Sequence, residues 1–220
     1  MRLGVVICKA GSHRPMPSLE SLSKREAAFI EPMECLSVSK LPEGPNWVYE
    51  IKLDGYRAVA INSKSKLSLV SRKRKSFDRQ YPYIFEALSD LPKNTVVDGE
   101  IVALDDAGRP NFHLLQHSRS EASRICYFVF DLLVYENRDL TRLTFIQRRE
   151  IMNSVLKFTA PRIRMAQHFE TSAAEMRRAV RGQGLEGVIA KRKDSCYEAG
   201  KRSGSWAKRL AAKTRWQYST

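Results

Sequence analysis

The sequence predicts an α+β fold built mainly of antiparallel β-sheets flanked by helices. Three observations carry that expectation. Eight strand-like segments dominate the chain, several of them joined by short turns. Helical patterns fall between them irregularly and do not follow every strand, which argues against a parallel βαβ array. No internal repeat or low-complexity stretch is present.

Residues 1–28 form an irregular lead-in, and the Pro-, Ser- and Glu-rich character continues to about residue 45, with one short helix near Leu19 to Phe29. The main domain is expected over 29–209, with a basic tail over 210–220. The strands are Trp47–Leu53, Arg57–Asn62, Lys66–Ser71, Thr95–Leu104, Ile125–Tyr135, Arg162–Ala166, Gly187–Lys191 and Ser205–Arg209. The first alternates cleanly, with Trp47, Tyr49, Ile51 and Leu53 on one face and Val48, Glu50 and Lys52 on the other. Asp54-Gly55 reads as a hairpin turn into the second. A helix over Asp78 to Leu88 follows from Tyr81, Ile84, Phe85 and Leu88. Thr144 with Gln147, and Ser172 with Glu175, are capping boxes for two more helices, the second ending at Gly182.

Charge bounds the partners. Lys and Arg number 38 against 24 Asp and Glu, a formal net charge of +14. That excess favours a polyanion such as nucleic acid. It is concentrated in Arg72-Lys73-Arg74-Lys75 and in a C-terminal set of Lys191, Arg192, Lys193, Lys201, Arg202, Lys208, Arg209, Lys213 and Arg215. Contact with a phosphate backbone would make binding strongly salt-dependent. No apolar run reaches the ~20 residues that a membrane-crossing helix needs. Cys8, Cys35, Cys126 and Cys196 show no paired spacing, so neither a zinc site nor a disulfide framework is indicated, and a reducing cytoplasm is the expected compartment. Cys126 reads as packing. His113 and His117, four apart, lack the Glu and the third ligand of a zinc helix.

The chemistry is in four short segments. Glu50-Ile51-Lys52-Leu53-Asp54-Gly55-Tyr56-Arg57 puts a lysine and an acid on one strand face before a turn. Asp98-Gly99-Glu100 interrupts an apolar strand with two carboxylates, which is costly unless they pair, hydrogen-bond or bind metal. Glu186 enters and Lys191 leaves another strand, and Trp206-Ala207-Lys208 adds a late lysine. Each alone is compatible with surface ion pairs; their order and spacing together are not easily explained that way.

The ordered set resembles the nucleotidyltransferase (adenylation) domain of ATP-dependent DNA ligases, in particular the bacterial end-joining type. The match runs from about Phe29 to Arg209 and includes Ser71-Arg72 and Phe130-Asp131-Leu132. The resemblance implies an ATP-grasp-like adenylation domain. In that family a lysine amine attacks the α-phosphate of ATP, AMP passes to the 5′-phosphate of a DNA nick, and the 3′-hydroxyl displaces it. Carried onto this chain, Lys52 is the nucleophile and Lys191 and Lys208 are catalytic cations. An amine attacks only as its free base, which neighbouring cations and bound metal favour.

The same resemblance gives ATP-binding roles to Glu50, Arg57, Glu100, Phe130, Glu186, Lys191 and Lys208. Glu50 would read the adenine amino group, Arg57 the ribose or terminal phosphates, and Phe130 the adenine face. Glu100 and Glu186 are the expected Mg²⁺ and ribose carboxylates, Glu186 nearer the metal. Arg72 would hold the nick 5′-phosphate. Nicked double-stranded DNA is the implied partner, with a separate OB domain or repair proteins beside it.

Two features depart from the family pattern. No OB-fold follows Lys208, and Leu210 stands where a second basic residue is usual. Slow unaided self-adenylation is the expectation. The alternatives are an RNA ligase or capping-type nucleotidyltransferase with the same lysine chemistry, and a non-catalytic DNA-binding remnant.

Overall fold

The computed structural model describes residues 16–117 and 124–211. Expectations for residues 1–15, for Cys8, and for tail positions from 212 onward, Lys213 and Arg215 among them, lie outside the described residues.

Two sheets form the body. The smaller has four strands in the order β1 (Leu36–Ser37), β10 (Trp206–Leu210), β9 (Gly187–Arg192), β2 (Trp47–Lys52). The larger runs β4 (Leu67–Ser71), β3 (Tyr56–Asn62), β5 (Thr95–Ala103), β6 (Ile125–Tyr135), β7 (Arg138–Asp139), with β8 (Ile163–Met165) also paired to β6. Pairing is antiparallel except for β1 with β10 and β6 with β8. Among the described residues four α-helices accompany them: α1 (Pro82–Ala87), α2 (Phe112–His117), α3 (Phe145–Val155) and α4 (Ala173–Gly182). The mainly antiparallel α+β expectation is met.

Period-two alternation sorts the side chains. On β3, Ala58 and Ala60 join a core with Leu69, Val97, Ile101, Tyr127, and Ile151 and Met152 of α3. Val59 and Ile61 turn the other way, with Val96, Phe130, Leu133 and Trp206, and fill the space between the two sheets. The outer face of the small sheet, Tyr49, Val188, Ala190 and Ala207, is covered by Met176 and Val180 of α4. Each sheet therefore has a helix-covered outer face, and the inner faces meet along a cleft.

The capping boxes form at both places. Thr144 and Gln147 exchange bonds at the start of α3, and Ser172 and Glu175 do so at α4. Other expectations need correction. Asp54-Gly55 is not a hairpin turn, because β2 and β3 belong to different sheets. The chain crosses the cleft there, and Gly55 passes so close to β5 that a Cβ would lie 2.1 Å from the Ile101 carbonyl oxygen. The predicted helix at Leu19–Phe29 is one 3-10 turn, Leu19–Ser21, whose Ser21 hydroxyl donates to the Ser18 carbonyl and so favours a local turn. The helix expected from Asp78 starts only at Pro82, since the Asp78 carboxylate accepts from the Leu69 N–H and ties its segment to β4.

Among the described residues no helix is long and apolar enough to cross a membrane, and no group of three His, Cys, Asp or Glu side chains is arranged to hold a metal ion. His113 and His117 both lie on α2. Cys126 is buried beside Val102 and Leu104, the packing position its strand pattern suggests.

Candidate active site

The cleft face of the small sheet is fixed by register. Lys52 stands opposite Gly187, Glu50 opposite Ile189 and Val48 opposite Lys191; on the other side of β9, Lys208 faces Ile189 and Trp206 faces Lys191. Glu50 and Lys208 thus flank one rung and Lys52 ends the next. From the large sheet, Arg57 pairs with Glu100 across β3 and β5, and Phe130 comes from β6 on the same inner side. Glu50, Lys52, Arg57, Arg72, Glu100, Phe130, Lys191 and Lys208 line a single cavity. Glu186 reaches that cavity through Lys52, whose Nζ lies 2.6 Å from its Oε2.

At the Lys52 end, three charged groups converge. The Glu186 carboxyl is pushed up by burial, with Lys52 opposing that shift. Glu100 goes further: burial raises its pKa to about 7, against the pull of the Arg57 and Lys52 cations and with the push of Asp98 and Glu186. Two carboxyls displaced upward beside a lysine in a cleft are a pattern that functional sites share.

Arg57 is committed to the protein. Its Nε and Nη2 each donate to Asp98 at 2.6 Å, and Nη2 also donates to the Met33 carbonyl. Asp98 is fully buried and takes a third bond, 2.5 Å, from the Tyr197 hydroxyl. This is how one of the two strand carboxylates escapes the cost of burial. Between them, Gly99 makes room for Tyr127, whose ring atoms would lie 2.6 Å from a Cβ at that position. The Arg57 guanidinium also lies 4.5 Å over the Phe130 ring, which is 6% exposed.

Lys191 is at the floor rather than beside Lys52. Its Nζ is 2.8 Å from Glu50 Oε2, with the Trp206, Phe130 and Phe145 rings 4.2, 4.6 and 4.9 Å away. Burial lowers its pKa, while Glu50 opposes. Its charge is balanced by Glu50 at the floor of the cavity. Glu50 Oε1 is buried with no hydrogen-bond partner. A buried acceptor left open at the floor of a cavity suits an N–H donor such as an exocyclic amine.

At the mouth, Arg72 is joined by residues the sequence did not single out. Arg72 Nη1 is 3.2 Å from Glu34 Oε1, and Arg202 pairs with Glu34 Oε2. Pro32 to Cys35 form one wall. That wall is pinned by Glu34 N–H donating to Lys201 O, and by Met33 N–H donating to the Tyr197 hydroxyl. Nothing periodic marks residues 31–35. Arg202 was visible only as one cation in a basic run.

The family model for the ATP dependent DNA ligase domain matches residues 31–209, most of the chain and every segment of the site. The chain belongs to that family. It is 34% identical over 173 residues to the multifunctional non-homologous end joining protein LigD of Mycolicibacterium smegmatis, covering 78% of this chain and 22% of the relative. The crystal structure of the ligase domain from M. tuberculosis LigD superposes with a TM-score of 0.71 at 30% identity, covering 82% of this chain and 59% of that one. A mycobacterial DNA ligase D complexed with ATP and MES gives 0.70, also at 30% identity, over 81% and 59%. This chain spans less than a quarter of the M. smegmatis LigD sequence. It carries the ATP dependent DNA ligase domain and shares the fold of the LigD ligase domain.

Proposed function

We propose that this domain joins AMP to Lys52 and passes it to the 5′-phosphate of nicked duplex DNA. The Lys52 Nζ lone pair forms a P–N bond to the α-phosphorus of ATP as the bond to the bridging oxygen breaks, releasing pyrophosphate. The nick 5′-phosphate oxygen then displaces Lys52, and a 3′-hydroxyl displaces AMP to seal the strand. The observation that carries this reading is the 2.6 Å contact of Lys52 with Glu186 in a cavity also lined by Arg57, Glu100 and Lys208.

The residues present fit a nucleotide. The open Glu50 Oε1 suits the adenine amino group, and Phe130 and Ile189 supply apolar surface for the base. Lys208, across β9 on the rung next to that of Lys52, suits the α-phosphate. Glu186 and Glu100 would hold Mg²⁺ together with phosphate oxygens and water, which would supply charge neutralisation at the phosphates. Lys52 must give up its bond to Glu186 before it can attack, since its nitrogen needs a free lone pair aimed at phosphorus. Arg72, more than half exposed at the mouth, suits the nick 5′-phosphate.

Intact-mass spectrometry after incubation with ATP and Mg²⁺ tests the first step. The expected result is one added AMP on the peptide containing Lys52, absent in Lys52→Ala and chased off by 5′-phosphorylated nicked duplex. An unmodified wild-type chain that still binds nicked DNA would instead support the non-catalytic reading.

A further inference from the structure

The mouth of the cleft carries an internal competitor for its own ligand. Arg72 follows β4, Arg202 lies in the loop between β9 and β10, and Lys208 lies on β10. All three cations line the same cavity. Left alone they would repel one another. Glu34 sits between them, one carboxylate oxygen on Arg72 at 3.2 Å and the other on Arg202. Its side chain is 30% exposed, so solvent and solutes reach the pair. The carboxyl is held below its ordinary range, first by the Arg202 hydrogen bond, and by the charges of Arg202, Arg72 and Lys208 against desolvation.

The backbone makes this placement specific. Glu34 N–H donates to Lys201 O, and Gly200 N–H donates to Glu31 O, lacing the 31–34 wall to the Arg202 loop. Gly200 has φ +69°, and a Cβ there would meet the Glu31 carboxylate. Ser203 closes the same loop by donating to Glu198. Glu34 is therefore presented to the arginines by a fixed backbone. Its carboxylate spans two guanidinium groups as a phosphate would, with two oxygens on two forks.

We propose that Glu34 is a resident counter-anion for a phosphate subsite formed by Arg72, Arg202 and Lys208, displaced when a terminal phosphate of the substrate enters. The inference rests on the reading of Arg72 as a contact to a nick 5′-phosphate and adds Arg202 and Glu34 to it. Before substrate arrives, Glu34 bridges the two arginines and offsets part of their positive charge. Once a dianionic phosphate is bound, the same carboxylate is a repulsive neighbour, so it weakens ground-state binding.

The test is binding by Glu34→Gln, measured with a nicked duplex bearing a 5′-phosphate, the same duplex with a 5′-hydroxyl, and inorganic pyrophosphate. Glu150→Gln, an exposed carboxylate on α3 outside the cavity, controls for overall charge. The expected result is about fivefold tighter binding of the 5′-phosphate duplex and of pyrophosphate, within the range a partly exposed ion-pair network supports. The 5′-hydroxyl duplex should change less than about twofold, as should every probe with Glu150→Gln. Glu34→Asp, too short to span both arginines, should fall between, and adding Arg202→Gln should erase the gain. Tightening for pyrophosphate alone would uphold the counter-anion and reject the DNA reading. No tightening of either phosphate probe, equal tightening on the 5′-hydroxyl duplex, or weaker binding would overturn the proposal.

Discussion

Lys52 and Glu186 are joined by a 2.6 Å ion pair although 134 residues separate them in sequence. The link is made by the antiparallel register of β2 with β9, which sets Lys52 opposite Gly187, the residue after Glu186. Both side chains are partly exposed, at 21% and 27%. An ion pair with this much solvent contact contributes little to folding, on the order of 0–1 kcal/mol. Its reason is the chemistry at the cleft.

Lys52→Arg should therefore preserve the fold and lose the reaction. Arginine keeps the charge and can pair with Glu186, but its guanidinium stays protonated and is no nucleophile. The expected outcome is an unfolding midpoint within about 1 kcal/mol of wild type and no covalent AMP by mass spectrometry. Glu186→Gln should give an equally small stability change with a large loss of adenylation, read by the same two measurements. A Lys52→Arg chain that acquires AMP would refute the assignment of the nucleophile.

Glu100 gives the chain a pH signature. Its carboxyl titrates at about 7 in the folded state, against an ordinary value of 4.5. Between those pH values the folded protein holds a proton that the unfolded chain has lost. The unfolded state then binds fewer protons, so stability falls as pH rises through that window. Below about pH 4.5 both states are protonated and the contribution is complete. Urea midpoints across pH 4.5–7.5 should fall more steeply for wild type than for Glu100→Gln. Parallel curves would mean that the Glu100 carboxyl is not desolvated in the cleft.

The reasons for what was legible in the sequence differ element by element. Alternation along Trp47–Lys52 gave the inward face with Glu50 and Lys52 because a half-buried strand must segregate its side chains. The capping boxes were legible because they are local, needing only residues three apart. The partner of each strand was not. Asp54-Gly55 has hairpin chemistry, yet the chain uses it to change sheets, a choice set by contacts with Ile101 that lie far along the chain. Asp98 was seen as a carboxylate needing a partner, but Arg57 and Tyr197 as those partners required the fold. Glu34 was invisible, and Arg202 stood out only as one cation of a basic run, for a related reason: the wall at 31–35 is irregular, held by backbone bonds to a distant loop and by no periodic pattern.

Asp131 and Arg148 predict the largest stability loss. Both are fully buried, joined by bonds of 2.7 and 2.8 Å from Nε and Nη2, while Arg148 Nη1 donates to the Leu143 and Ser195 carbonyls. The pair ties α3 to β6 directly behind Phe130. Removing one member leaves the other charged and unsolvated, which costs about 3–5 kcal/mol. Asp131→Ala should lower the urea midpoint accordingly. Replacing both, Asp131→Leu with Arg148→Met, should recover much of that loss, because two apolar side chains leave no orphan charge. If the double variant is no better than the single one, the carbonyl bonds from Arg148 are the dominant contribution.

Gly55→Ala tests whether the sheet crossover positions the site. A methyl group at residue 55 would lie 2.1 Å from the Ile101 carbonyl oxygen and 3.0 Å from Glu100 Cγ. Neither contact can persist, and the first is to backbone within β5, which is paired on both sides to β3 and β6. The central strand cannot yield, so the Asp54–Tyr56 crossing must lift away. That motion carries Lys52 at one end and Arg57 at the other. Overpacking of this kind costs about 1–3 kcal/mol, so the variant should remain folded with a lowered midpoint. Adenylation should fall by much more than the loss of folded protein, since Lys52 and Glu100 would shift relative to one another. Measured at a temperature where both chains are fully folded, the rate of AMP capture separates the two effects. A variant that is destabilised but adenylates at the wild-type rate would show that the crossover holds the sheets together without setting the geometry of the reaction.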